Sequence, residues 1–107
     1  MAGEILVLVT CPPAESEKLA CALVQERLAA CVNIIDGVRS IYLWQDKLCN
    51  EKEDLLVIKS NNTVWEALRN RVKALHSYDV PEIISMPVQD GHKPYMDWVN
   101  QAISARQ

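Results

Sequence analysis

The chain has 107 residues, of which 50% are hydrophobic and 23% are charged, and this composition predicts one globular domain over residues 1–107 with a small core. The net charge of −3 argues against nucleic acid as a main partner, because phosphate binding needs a basic face. The first apolar run, Ile5 to Val9, is shorter than the roughly 7–15 apolar residues of a secretory signal. It is also shorter than the about 20 of a membrane span, so we expect a cytoplasmic protein with no membrane partner.

The first predicted strand, Ile5–Val9, is apolar at every position. Because alternate side chains of a strand point to opposite faces, we expect both of its faces to be buried. Pro12 and Pro13 end the strand, and proline is tolerated where a helix begins. A helix is predicted over residues 14–30, since its apolar residues recur on one broad face.

A long strand is predicted over residues 31–44, bent at Gly37, because Asp-Gly is a turn or bulge signal between two strand-like runs. The polar segment 45–54 predicts a hairpin. Residues 54–60 form the third predicted strand, which is also apolar without alternation.

A second helix is predicted over residues 61–78, where Thr63 and Glu66 fit a capping box and Asn62 is a competing cap. Its expected buried stripe is Val64, Leu68, Val72 and Leu75.

The fourth predicted strand covers residues 82–88, and Pro87 places it at a sheet edge because proline has no N–H for the ladder. A short helix over residues 94–106 ends the chain. Its residues Tyr95, Trp98, Val99 and Ala102 are expected on one side.

The element order predicts an α+β fold of the ferredoxin-like βαββαβ type with a C-terminal helix. In that topology the two strands without alternation are central, and the two main helices cover one sheet face only. The large aliphatic side chains on the other face would forgo roughly 6–12 kcal/mol if they stayed in water. Since a whole domain is stable by about 5–15 kcal/mol, we expect an obligate oligomer whose sheets cover one another.

The four cysteines are expected to be free thiols, because no two of them have the CxxC spacing of zinc ribbons and thioredoxins. They are Cys11, Cys21, Cys31 and Cys49.

Five segments, in order and across nearly the whole chain, jointly resemble the CutA family of divalent-cation tolerance proteins. They are LAACVNI (28–34), SIYLW (40–44), DLLVIKS (54–60), HSYDVPEII (76–84) and YMDW (95–98). The resemblance implies a tight homotrimer similar in assembly to the PII signalling proteins, high thermal stability, and a link to copper and other divalent metals. Since no Ser/His/Asp or Cys/His/Asn catalytic set can be placed in the sequence, we expect a protein that is not an enzyme.

The resemblance also suggests metal ligands. The family's metal binding is associated with a cysteine at the end of the first strand and with the histidine of an HPY motif. His76 matches that histidine, although Ser77 replaces the proline. The cysteine maps onto Thr10, while Cys11 lies one position later and therefore on the opposite strand face. The candidate ligands for Cu²⁺ or another divalent cation are therefore Cys11 and His76, with a third from Glu82 or from a neighbouring subunit, and such metals accept these donors.

Four aromatic residues, Tyr42, Trp44, Tyr78 and Trp98, are candidates for a subunit interface or for a small-molecule cleft between subunits. Packing without a ligand is the favoured explanation for these aromatic residues, and a position at a helix C-terminus, stabilised by the helix dipole when charged, is the favoured one for His76. The alternative function is therefore a PII-like regulatory trimer that binds a small ligand.

Three other functions of this topology are excluded by the residues present. A metal chaperone needs two cysteines in CxxC spacing, and an acylphosphatase needs a cradle of N–H donors where Pro12 and Pro13 have none. RNA binding on the sheet needs exposed aromatic side chains on the central strands. These strands carry aliphatic side chains only.

Overall fold

The computed structural model describes residues 3–104, and their elements follow the predicted order. The strands are β1 (Glu4–Cys11), β2 (Cys31–Trp44), β3 (Lys47–Asn61) and β4 (Ile83–Pro87). The helices are α1 (Ser16–Gln25), α2 (Trp65–Leu75) and α3 (Lys93–Ser104), and short 3-10 turns at Pro13–Glu15 and Asn62–Val64 lead into α1 and α2.

The four strands form one antiparallel sheet in the order β2-β3-β1-β4. This is the ferredoxin-like order, so the predicted α+β fold is confirmed, with β1 and β3 at the centre. Among residues 3–104, β4 pairs only with β1 and therefore forms an edge, as its proline predicted. No helix of residues 3–104 is long and apolar enough to cross a membrane.

The core lies between the sheet and the first two helices. Alternate residues of β1, including Val7 and Val9, are fully buried on this face, together with Leu56 and Ile58 of β3. The buried residues of α1 and α2 cover them, and Leu68 is among these. The apolar side of each amphipathic helix therefore packs against this face of the sheet.

Helix α1 is shorter than predicted, because the chain leaves the helical conformation at Arg27, which has a φ of 58°. Leu28 and Ala29 are still buried, but they follow the helix in a turn where both N–H groups donate to the carbonyl of Leu23. The apolar periodicity predicted a helix through this segment, because the pattern indicates which residues are buried but not which backbone conformation they adopt.

The predicted polar hairpin and helix cap also differ from the structure. The turn consists of Gln45 and Asp46 only, both with positive φ, and the residues after it belong to β3. The cap of the second helical region is Asn61, whose side-chain oxygen accepts the N–H of Thr63 at 3.0 Å. Neither the predicted capping box nor Asn62 supplies the cap.

In α3, the buried residues are Val99 and Ile103, whereas Trp98 is 46% exposed. The expected side of this helix thus includes the buried Val99, but Tyr95 and Trp98 on that side are exposed within one chain. The end of the predicted helix, residues 105–106, lies outside the described residues.

The outer sheet face, opposite the two main helices, carries Leu6 and Leu8 of β1 with Leu55 and Val57 of β3. All four side chains are only partly buried within one chain. Helix α3 lies at one end of this face, where Asn100 donates to Glu4 at 2.7 Å. One helix at one end leaves most of the face open.

Beyond the four-stranded part, β2 and β3 continue as a two-stranded arm, Val38–Glu53, because β1 pairs with β3 only from Asp54 onward. The predicted irregularity at Gly37, with a φ of 73°, lies at the base of this arm. The arm gives the subunit a longest dimension of 44 Å against 26 and 21 Å. Its apolar side chains are exposed, with Leu43 at 70% and Leu48 at 74%.

Candidate functional site

A cavity of about 720 Å³ lies where the arm leaves the body of the subunit. Tyr42 and Glu51 of the arm line one side of it, and Tyr78 and Glu82 of the loop after α2 line the other. Its volume is within the about 300–1,000 Å³ that is common for small-molecule sites. Tyr42 and Cys49 are directly opposed in the pairing of β2 with β3. Their side chains therefore lie on the same face of the arm, and this face lines the cavity.

The two tyrosines of the cavity each donate to a carboxylate. Tyr78 Oη donates to Glu53 at 2.8 Å, and Tyr42 Oη donates to Glu51 at 2.6 Å. The pKa of Tyr42 is raised to about 12, first by its hydrogen bond to Glu51. Burial and then the hydrogen bond to Glu53 raise the pKa of Tyr78 as well. Both hydroxyls therefore stay protonated and act as donors near neutral pH.

His76 is a structural link between the end of α2 and the end of β1. Its Nε2 lies 2.8 Å from the carbonyl oxygen of Thr10, and its Nδ1 accepts the N–H of Tyr78 at 3.1 Å. A carbonyl only accepts and an amide N–H only donates, so these partners fix the neutral imidazole with its proton on Nε2. Both ring nitrogens are engaged in this arrangement, and the imidazole packs against the ring of Tyr78 with the centroids 4.7 Å apart and the planes tilted by 50°.

Cys11 is fully buried at the end of β1 and belongs to the face that the helices cover. Burial, and then the negative charges of Asp54, Glu15 and Glu53, raise the pKa of its thiol to about 11. Since the thiolate is the form that binds metals, this thiol is held in its poorly ligating form at neutral pH.

Glu82 is exposed and accepts a hydrogen bond from Thr10 Oγ1 at 3.4 Å. Thr10 and Glu82 both line the cavity, and the adjacent Cys11 does not. Within residues 3–104, no three histidine, cysteine, aspartate or glutamate side chains are grouped so that they could hold a metal ion. The prediction of His76, Cys11 and Glu82 as ligands therefore stays a prediction.

Three of the four predicted aromatic residues meet at the cavity: Tyr42, Trp44 and Tyr78. Trp98 lies elsewhere, on α3, where its ring packs at 5.6 Å against Tyr95.

Sequence reasoning missed the carboxylates of Glu51 and Glu53, which line the cavity beside the aromatic residues. They lie in the segment 45–54, for which the sequence predicts a polar hairpin. The signal available was their spacing of two, which in a strand places both side chains on one face.

The comparisons with known proteins agree with this structure. The model of the CutA1 divalent ion tolerance protein family matches residues 5–102. The divalent-cation tolerance protein CutA of Thermus thermophilus is 46% identical over 99 residues, which are 92% of this chain and 96% of that protein. A solved CutA from Xylella fastidiosa superposes with a TM-score of 0.92 at 40% identity, covering 94% of this chain and 98% of that one.

A plant relative is longer than this chain. The chloroplastic CutA 1 of rice is 43% identical over 99 residues, which are 92% of this chain and 56% of that protein. The match to the family model over residues 5–102, together with the match to the Thermus thermophilus CutA over 96% of that protein, shows that this chain belongs to the CutA1 divalent ion tolerance family.

Proposed function

We propose that this protein acts in divalent-cation tolerance as a non-enzymatic homotrimer. The observation that carries the proposal is the match to the CutA1 family across residues 5–102. The assembly is supported by the open outer face and by the exposed apolar arm, neither of which one chain covers.

The outer face supplies the free energy for association. Leu6, Leu8, Leu55 and Val57 are half-buried in one chain, and Ile84 at the edge is 51% exposed. Full burial of an aliphatic side chain stabilises the protein by about 1.5–3 kcal/mol, so each of these half-exposed residues would add less than that to association. In a trimer the same residues would contribute once in every subunit. Sheets that face one another around a threefold axis would remove this area from water.

The arm supplies a second contact. Its strands have unpaired edges, and such edges readily pair with a strand of another chain. Ile41, Leu43 and Leu48 are 63–74% exposed, which is the exposure expected of side chains that pack against a neighbour.

Sedimentation velocity tests the assembly. We expect the mass of three chains at micromolar concentration, and we expect Val57→Lys, in the middle of the outer face, to dissociate it. Glu17→Lys makes a matched control, because Glu17 is exposed on α1 away from that face. A folded wild-type monomer at nanomolar dilution would refute the trimer.

The finer part of the proposal is direct binding of Cu²⁺ or another divalent cation by His76, Cys11 and Glu82. The mixed sulfur, nitrogen and oxygen donors support it chemically. Binding would require His76 to release one hydrogen bond and Cys11 to lose its proton and turn out of the core. We expect metal affinity to rise with pH for this reason.

Copper titration of the protein, of His76→Ala and of Cys11→Ser tests the ligand set, with the exposed Cys21→Ser as the control thiol. An affinity unchanged in both variants would remove these residues as ligands. It would leave the assembly untouched.

A second candidate function is a PII-like regulatory trimer that binds a small molecule. The cavity at the base of the arm favours it, because Tyr42, Trp44 and Tyr78 converge there beside carboxylates. In a trimer the arm lies against a neighbouring copy, so this cavity becomes a cleft between subunits. Binding of a small ligand that is lost in Tyr78→Ala, with the assembly intact, would support this candidate.

A further inference from the structure

The cavity at the base of the arm has one sign of charge. Among the described residues that line it are four carboxylates and no lysine, arginine or histidine. The carboxylates belong to Glu51, Glu53, Asp79 and Glu82. A cleft with low-dielectric walls and one sign of charge concentrates ions of the opposite sign.

Glu53 is the most constrained of these carboxylates. It is 5% exposed, and Tyr78 donates the hydrogen bond that it accepts. It takes part in no ion pair within residues 3–104. Glutamate is almost never fully buried unless a cation pairs with it, because an unpaired charge is costly to remove from water. Within residues 3–104, the buried carboxyl of Glu53 thus has a hydrogen-bond donor in Tyr78 but no cationic side chain paired with it.

A single metal ion does not fit this charge distribution, because the described residues contain no grouping of three carboxylate, thiol or imidazole ligands. The carboxylates are spread along two sides of a cavity of about 720 Å³. Aromatic residues lie between them, and aromatic rings attract ammonium groups as well as apolar groups. Spread negative charge with aromatic walls matches a cation that is itself extended and partly apolar.

We propose that this cavity binds a free organic cation of the alkylammonium class, with Glu53 as its buried counter-charge. One ammonium group pairs with Glu53, and the aliphatic part packs against Tyr42, Trp44 and Tyr78. In a diamine the second ammonium reaches Glu82 or Glu51. This inference deepens the second candidate function and rests on it, since it names the ligand class of the same cleft.

Calorimetric titration of the full protein in amine-free phosphate buffer tests the inference, with 1,4-diaminobutane and tetramethylammonium as probes and 1,4-butanediol as the neutral analogue. We expect both cations to bind and the diol not to bind. Glu53→Gln keeps an acceptor for Tyr78 but removes the charge, so the diamine affinity is expected to fall about tenfold or more. Glu17→Gln, an exposed carboxylate on α1, is the matched control and is expected to bind as the wild type does.

Three results would overturn the inference. The first is diamine binding no stronger than diol binding, and the second is an unchanged affinity in Glu53→Gln and in Glu82→Gln/Glu51→Gln. Glu82 and Glu51 are both exposed, so the double variant Glu82→Gln/Glu51→Gln keeps the test decisive if Glu53→Gln fails to fold, because it removes both carboxylates that the second ammonium can reach. The third is dissociation of the oligomer by the diamine, because the cation of the cavity would then be a side chain of a neighbouring copy. A trimer that ignores both amines would overturn this inference alone, whereas a monomer that binds them would overturn only the proposed assembly.

Discussion

Replacing Tyr78 with Phe isolates one hydrogen bond of the cavity, and Tyr42→Phe is its matched control. Both changes remove a hydroxyl that donates to a glutamate, at 2.8 Å from Tyr78 to Glu53 and at 2.6 Å from Tyr42 to Glu51. The difference lies in the acceptor: Glu53 is 5% exposed, whereas Glu51 is exposed. Water replaces the lost donor at Glu51 but reaches Glu53 poorly.

A hydrogen bond to a charged group contributes about 1.5–3 kcal/mol, and we expect the lower end for Tyr78→Phe because Tyr78 is itself only half-buried. At about 4–8 °C per kcal/mol for a domain of this size, the unfolding temperature should fall by about 6–12 °C. Tyr42→Phe should cause a clearly smaller loss. Thermal unfolding at one fixed protein concentration measures both variants, since the stability of an associating protein depends on concentration.

The pH dependence gives a second readout of the same bond. The pKa of Tyr78 is raised in the folded state above its ordinary value of 10. The unfolded chain therefore loses this proton first, and the stabilisation is complete below pH 10 and lost as the pH rises above it. Tyr78→Phe should lose stability less steeply between pH 10 and 12 than the wild type. Equal losses in the two Phe variants at neutral pH would refute the role of burial at Glu53.

Three further predictions concern the core, the bulge and the thiols. Leu68→Ala should lower the free energy of unfolding by about 2–5 kcal/mol in denaturant titration, because Leu68 is fully buried between helix and sheet; a loss below about 1 kcal/mol would contradict the packing described. Gly37→Ala should cost about 1 kcal/mol by the same measurement, because a Cβ is strained at a φ of 73°, and no loss would mean that the bulge adopts another conformation. With iodoacetamide at pH 8, exposed Cys21 should be alkylated rapidly and Cys11 only after unfolding, since the Cys11 pKa is about 11 in the folded protein; equal rates by peptide mass spectrometry would refute this.

The topology could be predicted from the sequence because the hydrophobic pattern of the two central strands differs from that of the edge strands. Apolar runs without alternation at Ile5–Val9 and in residues 54–60 marked β1 and β3, and Pro87 marked an edge. Asp36-Gly37 marked the bulge. These signals are local in the sequence, so they can be recognised without knowing which residues are in contact in the folded chain.

Element ends and the site depended on tertiary geometry that local patterns do not contain. The end of α1 was misjudged because Leu28 is buried through a turn and not through a helix. The carboxylates of the cavity were not predicted, because Glu53 contacts Tyr78 only through the folded loop after α2, and no local pattern contains that contact. The sequence suggested a metal ligand or a helix C-terminal residue for His76, whereas its hydrogen-bond partners, Thr10 and Tyr78, are set by the fold.

The arm, Val38–Glu53, has a consequence for newly made chains. A two-stranded ribbon without a third strand or a covering layer is marginally stable in water, so its backbone amides should exchange with deuterium quickly in a lone subunit and slowly after association. Hydrogen exchange over this segment would thus record the moment of assembly separately from the folding of the rest. Until that moment the bare strand edges can pair with wrong chains, and the time a subunit spends alone sets its exposure to aggregation.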